Sequence, residues 1–516
     1  QASGHSPEGT AITLGSAVTD PSPVDTAAGF TYAWSVTKNG AAYASGTSAG
    51  FSFTPDDNGT YVVSFSATDK DGGVGSDSRT ILVDNVAPAA ALTGLPATGH
   101  SPEGTAISLG STVTDPSPVD TAAGFTYAWT VTKNGAAFTS GSAASFSFTP
   151  DDNGTYVVTL TATDKDGGVS KPASATIAVD NVAPTAGVSG PSDGVRGQAR
   201  TFTLTASDPS SVDQAAGFIF TITWGDGATQ TVSGPSGTTV SHTFTATGTY
   251  NVQVTAKDKD GGTSTAVTQS DTITAVALET DPTDSSKTAL FVGGTTAADT
   301  ITLKPADANG TLNVKIGWTD LGNFKPTGHL IVYGQAGDDT IKLQTATVNG
   351  KTVYVTTPAF LYGDDGNDTL NTQGSTANNV LEGGAGNDTL QAGGGRDLLV
   401  GGTGADVLHG DGGDDILIGG TTDYDSNLAA LNAIMAESGR TDADYNTRVK
   451  HLNGTLSGGL NGSTLLKAGT GGTVHDDGAI DTLFGEGGTD WFFALLSGTN
   501  KDVVKDQATG ELVTGL

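Results

Sequence analysis

"NDTLQAGGGRDLLVGGTGADVLHGDGGDDIL", residues 387–417, places aspartate at 388, 397, 406 and 415, nine residues apart each time. A glycine-rich run precedes each aspartate, and a leucine follows two residues later (Leu390, Leu399, Leu408, Leu417). The unit is G-G-x-G-x-D-x-U-x, with U large and apolar. GGAGNDTL (383–390) and GGTGADVL (401–408) fit it, and AGGGRDLL (392–399) and GDGGDDIL (410–417) fit with one change each. A short fixed period marks a solenoid, in which each unit buries its apolar residue against the next.

The residue types specify the chemistry. Glycine permits the positive φ of a tight turn and lets backbone carbonyls point inward. Ca²⁺ takes six to eight oxygens at about 2.3–2.6 Å, and carbonyls plus one carboxylate per turn can supply them. The residues after each turn form a short strand with U inside. Two units make one coil of a parallel β-roll, so Asp388 is expected to stack on Asp406, and Asp397 on Asp415. Degenerate copies precede the array, GQAGDDTI (334–341) and GDDGNDTL (363–370); two more follow it, Asp481-Thr-Leu483 and Asp490-Trp-Phe492. The candidate Ca²⁺ ligands are therefore Asp339, Asp368, Asp388, Asp397, Asp406, Asp415, Asp481 and Asp490. The longer gaps, 29 residues from Asp339 to Asp368 and 20 from Asp368 to Asp388, predict coils with extended hairpins. GWTDLGNFKPTGHLIVYG (317–334) reads as one such hairpin.

The array resembles the calcium-binding repeats-in-toxin family of haemolysin type. That resemblance implies a segment unfolded in the low-calcium cell interior and folded outside it. The whole of 290–516 is similar to C-terminal regions of large secreted or surface proteins of planctomycete-type bacteria, which implies location more than activity.

Composition agrees with an acidic, cation-dependent chain. Of 516 residues, 23 are basic and 55 acidic, for a net charge of −32. Nucleic-acid binding runs on Lys and Arg, so that class is excluded, as is adhesion to bare anionic lipid. Charge of this size opposes compaction unless it is neutralised. With no cysteine, disulfides and thiolate metal sites are also excluded. No apolar run approaches the ~20 residues of a membrane span, and no signal peptide is visible.

The first half is built of repeats. GHSPEGT occurs at 4 and 99, DPSPVDTAAGFTYAW at 20 and 115, and FSFTPDDNGTYVV at 51 and 146, an offset of 95 that becomes 96 by VDNVAP (83 and 179). A diverged third copy carries SDPSSVDQAAGF from Ser207 and TITWGDG from Thr221. Period-two runs such as TYAWSV (31–36) predict half-buried strands. KNG (38–40) and DDNG (56–59) carry the Asn-Gly signal of hairpin turns. About 90 residues with one Trp per unit fit an antiparallel sandwich. The third unit, with WGDG and HTFTATGTYNVQVTAKD, resembles a PKD-type immunoglobulin-like domain, and the first two are similar to bacterial Ig-like surface repeats.

The predicted fold is all-β. It comprises Ig-like domains at 1–87 and 88–183, a PKD-type domain at 184–277, a linker at 278–289, and a calcium-binding roll at 290–516. A helical hairpin is inserted at 426–453, with Leu428, Leu431 and Met435, then Tyr445, Val449 and Leu452, at helical spacing. Ser438-Gly439 ends its first helix, and Thr441 with Asp444 three later is a capping signal for its second. It is read as packing on the roll or as docking a partner.

DKDGG recurs with Asp69 and Asp71, Asp164 and Asp166, Asp258 and Asp260. Asp-x-Asp-Gly is the first half of an oxygen-ligand loop, and DPSPVD (20–25, 115–120) adds carboxylates. Two readings stand, a calcium clamp stiffening the junctions or an Asp-Gly turn. GTSAG (46–50) matches G-x-S-x-G without the strand-to-helix context of a nucleophile elbow. The seven histidines are scattered and form no H-E-x-x-H. The chain is therefore read as non-enzymatic.

The first repeat has only Gln1, Ala2 and Ser3 before GHSPEGT, where the second has VAPAAALTGLPAT. A sandwich without that strand exposes unpaired backbone. The C-terminal GELVTGL resembles AALTGL (90–95), so Leu512, Val513 and Leu516 are candidates for head-to-tail self-association into a filament. The functional expectation is an extracellular calcium-binding stalk, adhesin or filament subunit. The alternative is a carbohydrate- or ligand-binding accessory region of a larger secreted protein or hydrolase.

Overall fold

The computed structural model describes residues 4–516. Residues Gln1, Ala2 and Ser3, on which the reading of a missing first strand partly rests, lie outside the described residues. The chain divides into two compact units: Gln1–Thr185 with Ala206–Ile219 and Ala256–Ser264, and Ala186–Thr205 with Phe220–Thr255 and Thr265–Leu516. The expected third sandwich is thus shared, with its two acidic loops in the first unit.

In the first unit each repeat is a sandwich. The first has a five-stranded sheet in the order His5–Pro7, Val74–Asp84, Gly59–Thr68, Thr31–Lys38, Ala41–Gly46. The second repeats it with His100–Pro102, Ala173–Asp180, Gly154–Thr163, Thr126–Lys133 and Ala136–Gly141. Inward residues alternate along each strand, so Trp34 and Val36, and Trp129 and Val131, meet Tyr61 and Tyr156 in closed cores. Each Trp indole N–H donates to a loop carbonyl, Ser48 or Ala143, so the polar atom of the largest core residue is paired. Ser48, the serine of GTSAG, thus serves the core through its backbone.

KNG is the expected hairpin, with Asn39 at φ 50° and Gly40 at φ 86°. DDNG is not a hairpin. It carries the chain from Gly50–Phe53 in one sheet to Gly59–Thr68 in the other, and the Asn39 side chain accepts the N–H of Thr60. DPSPVD, read as a loop, contains a short helix, Pro23–Ala28, capped by Ser22, whose side chain accepts the Asp25 N–H. The second copy is Pro118–Ala123. In the second sandwich Ala89–Thr93 completes a three-stranded sheet with Ile107–Thr114 and Ser145–Phe148; in the first, among the described residues, Ile12–Gly15 pairs only with Gly50–Phe53. A groove of about 480 Å³ lies there, lined by Leu14, Val18, Trp34, Val63 and Phe65.

In the second unit, residues of the PKD-type copy pair Asp193–Val195 parallel with Thr272–Thr274, and Ala199–Leu204 with Thr238–Thr243. Phe202, Phe220, Trp224 and Phe244 are fully buried there. The expected linker is instead a β-hairpin, Val276–Asp281 against Asp284–Gly293. Burial alternates along the first strand, with Leu278 and Thr280 exposed between the more buried Ala277, Glu279 and Asp281, and the Asp281 carboxylate closes the turn by accepting the Thr283 N–H.

The roll has two nine-stranded, mainly parallel sheets. One runs through Val380–Ala385, Leu398–Thr403, Ile416–Ile418 and Trp491–Ala494; the other through Thr369–Asn371, Thr389–Gln391, Val407–His409 and Thr482–Phe484. Leu381, Leu390, Leu399, Leu408, Leu417 and Leu483 fill the interior. Hairpins Leu312–Ile316 with Thr319–Phe324, and Ala346–Val348 with Lys351–Val353, lie between Asp299 and Asp339 and between Asp339 and Asp368. The interval from Asp368 to Asp388 holds no hairpin among the described residues, and 317–334 gives only the second strand of the first hairpin before Leu330–Tyr333 joins the roll.

The insertion packs on the outer face of the first sheet. Leu431, Ile434, Met435, Val449 and Leu452 cover Leu398, Val400, Ile416, Ile418, Trp491 and Phe493. Its helices are Leu428–Ser438 and Tyr445–Leu452. The cap of the second is Asp444, not Thr441: its carboxylate accepts the Thr447 N–H at 2.7 Å, an N-cap bond to N3. The tail proposed for donation is already seated, because Leu512–Gly515 pairs parallel with Trp491–Ala494 as the last strand of the sheet.

Candidate metal centre

The stacked aspartates form two ladders. In the first, the N–H of Asp299 donates to Asp339 Oδ1 (2.6 Å), Asp339 to Asp368 (2.6 Å), Asp368 to Asp388 (2.7 Å), and Asp388 to Asp406 (2.7 Å). It continues from Asp406 to Asp481 (2.9 Å) and from Asp481 to Asp502 (2.9 Å). In the second, Asn379 donates to Asp397, Asp397 to Asp415 (2.7 Å), and Asp415 to Asp490 (2.8 Å). All eight sequence-identified roll aspartates lie in these ladders and all are buried. The insertion does not interrupt the stacking: Asp406 and Asp481 are neighbours across it.

Each ladder bond uses Oδ1 only. Oδ2 of Asp339, Asp368, Asp388, Asp406, Asp415, Asp481 and Asp490 is buried without a hydrogen-bond partner. The end rungs of the first ladder differ. Asp299 Oδ2 accepts from Thr295 Oγ1 at 2.8 Å, and Asp502 Oδ2 from the Leu495 N–H at 2.6 Å. Asp397 Oδ2 accepts from Gly393 N–H at 3.2 Å. Unpaired buried carboxylate oxygens are costly, and seven of them stacked along the ladders, through to the last rung Asp490, call for a positive partner.

The glycines make room for the oxygens that would hold it. A Cβ on Gly383 would lie 2.3 Å from Gly401 O and 2.4 Å from Asp388 Oδ2; on Gly401, 2.4 Å from Gly419 O and 2.5 Å from Asp406 Oδ2. Gly334 and Gly363 repeat this with Asp339 and Asp368. At Gly334, Gly363, Gly383 and Gly401 an orphaned carboxylate oxygen and the carbonyl of the next coil come so close that no side chain fits there. Carbonyl and carboxylate oxygens are the donor set of a hard cation, so the residues present fit Ca²⁺. Positive φ belongs to the adjacent turn glycines, as at Gly384 (102°) and Gly386 (136°).

Burial, with like-charged neighbours, raises these carboxyls from the usual range. Asp388 is pushed to about 6, Asp368 and Asp481 to about 7 and Asp406 to about 8. A carboxyl whose folded pKa exceeds its unfolded value binds more protons when folded, so stability falls as pH rises between the two. Calcium-stripped protein is therefore expected to have a more stable roll at pH 5 than at pH 8, with the loss spread from about pH 4 to pH 8. In excess calcium the order reverses, because acid then competes with the cation. Thermal melts across pH, with and without calcium, check both signs; a stripped roll that is most stable at pH 8 would contradict this account.

Sequence reasoning missed Asp299, Asp502 and Asn379. Asp299-Thr-Ile301 and Asp502-Val-Val504 keep the D-x-U register, but GGTTAAD (293–299) and GTNKD (498–502) lack the glycine two residues before the aspartate.

In the sandwiches, Asp69, Asp164 and Asp258 close their own loops. Asp164 Oδ1 accepts the N–H groups of Asp166 (2.9 Å) and Gly168 (2.8 Å), and the others repeat this. Asp71, Asp166 and Asp260 pair with the lysine beside each, Lys70, Lys165 and Lys259. In each copy the first aspartate closes the turn through Oδ1, and Asp69, Asp164 and Asp260 also lie in clusters of carboxylates.

Residues 181–275 match the family model of the PKD domain, and 360–373, 373–405 and 392–423 match that of the RTX calcium-binding nonapeptide repeat (4 copies). A comparison with curated proteins finds no match. Among solved structures, the chain is similar to the PKD domain of an M14-like peptidase from a Thermoplasmatales archaeon (29% identity, 18% of this chain and 98% of that one, TM-score 0.17). It is also similar to a tetra-tandem repeat in the extending region of a large adhesion protein (19%, 56% and 74%, TM-score 0.26). Fibronectin(III)-like modules of Clostridium thermocellum CbhA give 18% identity, 34% and 89% coverage, and a TM-score of 0.16. The chain thus carries a PKD domain followed by RTX calcium-binding nonapeptide repeats, with Ca²⁺ as the ion of those repeats.

Proposed function

We propose that this chain is an extracellular structural protein of the surface-stalk or adhesion type, folded by calcium. In this reading Asp339, Asp368, Asp388, Asp406, Asp415, Asp481 and Asp490 hold Ca²⁺ through Oδ2, and Asp397 helps to space the second ladder. The observation that carries it is the row of orphaned Oδ2 atoms converging with glycine carbonyls. No helix among the described residues is long and apolar enough to cross a membrane.

Head-to-tail assembly through Leu512, Val513 and Leu516 has less support, since that strand is already paired within the roll. The ligand-binding alternative draws on one side chain, Trp318, fully exposed at a hairpin tip; the other four Trp are buried in cores. Light scattering on a sizing column, in millimolar calcium and after stripping, tests the reading. The expected result is the 51.4 kDa monomer in both, with a radius that swells on stripping. An unchanged radius would sink calcium-driven folding, and masses at multiples of the monomer in calcium would revive assembly.

A further inference from the structure

A second set of carboxylates, unrelated to the nonapeptides, gathers where successive repeats meet in the first unit. Glu8 belongs to one repeat, and Asp115, Asp120 and Asp164 to the next. Oxygens of Glu8, Asp57 and Asp120 lie within 4.8 Å of one another, as do those of Asp115, Asp120 and Asp164. Glu8 is 1% exposed and Asp120 0%.

Hydrogen bonding orients one oxygen of each group and leaves another bare. Glu8 Oε1 accepts the Val86 N–H at 2.8 Å, and Asp115 Oδ1 the Ser117 N–H at 2.8 Å. Asn85 Nδ2 donates to Asp164 Oδ2 at 3.1 Å. Glu8 Oε2, Asn85 Oδ1, Asp115 Oδ2 and Asp120 Oδ2 are buried without hydrogen-bond partners. Lys165 is the cation present, with Nζ 2.8 Å from Asp57 and 3.1 Å from Asp120 Oδ1. Burial first, then the neighbouring carboxylates, hold Glu8 and Asp115 above the ordinary range.

The next junction rebuilds this atom for atom. Glu103 Oε1 accepts the Val182 N–H at 2.7 Å, Asp208 Oδ1 the Ser210 N–H at 2.8 Å, and Asn181 Nδ2 donates to Asp258 Oδ2 at 3.0 Å. The bare atoms are again Glu103 Oε2, Asn181 Oδ1, Asp208 Oδ2 and Asp213 Oδ2. Both junctions are closely packed. A Cβ on Gly9 would lie 2.6 Å from Pro116, one on Gly104 2.6 Å from Pro209, and Ser117 Oγ donates to Asp56 O at 2.8 Å.

We propose that each of these two repeat junctions binds one divalent cation of calcium type, held by the bare oxygens of Glu8, Asn85, Asp115 and Asp120 at the first and of Glu103, Asn181, Asp208 and Asp213 at the second. Four protein oxygens, with water, suit a cation that takes six to eight. The residue changes elsewhere agree. In the second unit the position of Glu8 and Glu103 is Arg196, whose Nε donates to Gly293 O at 2.8 Å; a guanidinium there stands in place of an acid. In the first repeat Asp20, Asp25 and Asp69 form the loop half of the cage, all partly exposed, with no glutamate facing them among the described residues. Two cations, not three or four, follow.

The test is calcium binding to the full chain by equilibrium dialysis against calcium chloride. Wild type is compared with Asp120→Asn/Asp213→Asn and with Glu8→Gln/Glu103→Gln, whose amide oxygen can still accept the linker N–H. Each pair of changes is expected to remove two bound calcium ions per chain while the calcium-dependent signal of the roll is unchanged. Melting of the sandwiches carries the sign. Asp120→Asn/Asp213→Asn should lower their midpoint in calcium but leave it equal or raise it in stripped protein, where a bare buried charge has been removed. An unchanged calcium count, or destabilisation of equal size with and without calcium, overturns the proposal and leaves Asp120 as a partner of Lys165 only.

Discussion

Stripping calcium will unfold the roll and leave the sandwiches folded. The roll interior is made of short strands, three residues long at Thr389–Gln391 and Val407–His409, and its coils are joined by ladders that bury carboxylates. In calcium each orphaned oxygen has a partner; without it, carboxylates face each other along each ladder. One site at 100 times its dissociation constant adds about 2.7 kcal/mol. Four cooperative sites would add on the order of 10 kcal/mol, comparable to the whole stability of a domain. The sandwiches depend instead on closed cores around Trp34 and Trp129. The expected result is loss of the buried-Trp491 fluorescence and most roll amide protection in stripped protein, while amides of Gly154–Thr163 stay protected. Retention of roll protection without calcium would show that apolar packing alone suffices.

The second large effect separates space from flexibility at glycine. Gly401→Ala should abolish one roll site and lower roll stability in calcium by about 3 kcal/mol or more. Its Cβ would lie 2.4 Å from Gly419 O and 2.5 Å from Asp406 Oδ2, the point where those oxygens converge. Gly394→Ala, seven residues away, meets nothing closer than 3.8 Å and should be neutral or stabilising by about 0.4–1 kcal/mol, through reduced freedom of the unfolded chain. Neither glycine has positive φ, so backbone strain does not confuse the comparison. Calcium titrations followed by melting distinguish the two. Equal effects would mean that the close approach of Gly419 O and Asp406 Oδ2 at Gly401 does not matter for the cation.

Much of the roll was legible because its information is local. A period of nine fixes which aspartate stacks on which, and Asp339, Asp368, Asp481 and Asp490 joined the ladders despite irregular spacing. Asp299 and Asp502 escaped because no glycine stands two residues before either of them, and Thr295 and Leu495 satisfy their second oxygen. The side on which the helices pack was also written in the strands. Asp-Leu-Leu-Val (397–400) and Asp-Ile-Leu-Ile (415–418) are apolar on both faces, whereas Asp-Thr-Leu-Gln (388–391) is polar on one. That difference marks a sheet covered on both sides.

The hairpin at 276–293 and the crossover at DDNG were misread because turn residues announce a bend but not which sheet receives the next strand. That choice is made by the core as a whole. The sequence by itself determined the all-β class, the repeats, the coil pitch and the calcium chemistry of the roll, since each rests on neighbours a few residues apart. Only the tertiary structure decided that Glu8 faces Asp120 and Glu103 faces Asp213. Those pairs come from different repeats, and their oxygens meet only because Gly9 and Gly104 let the following Asp-Pro loop approach closely.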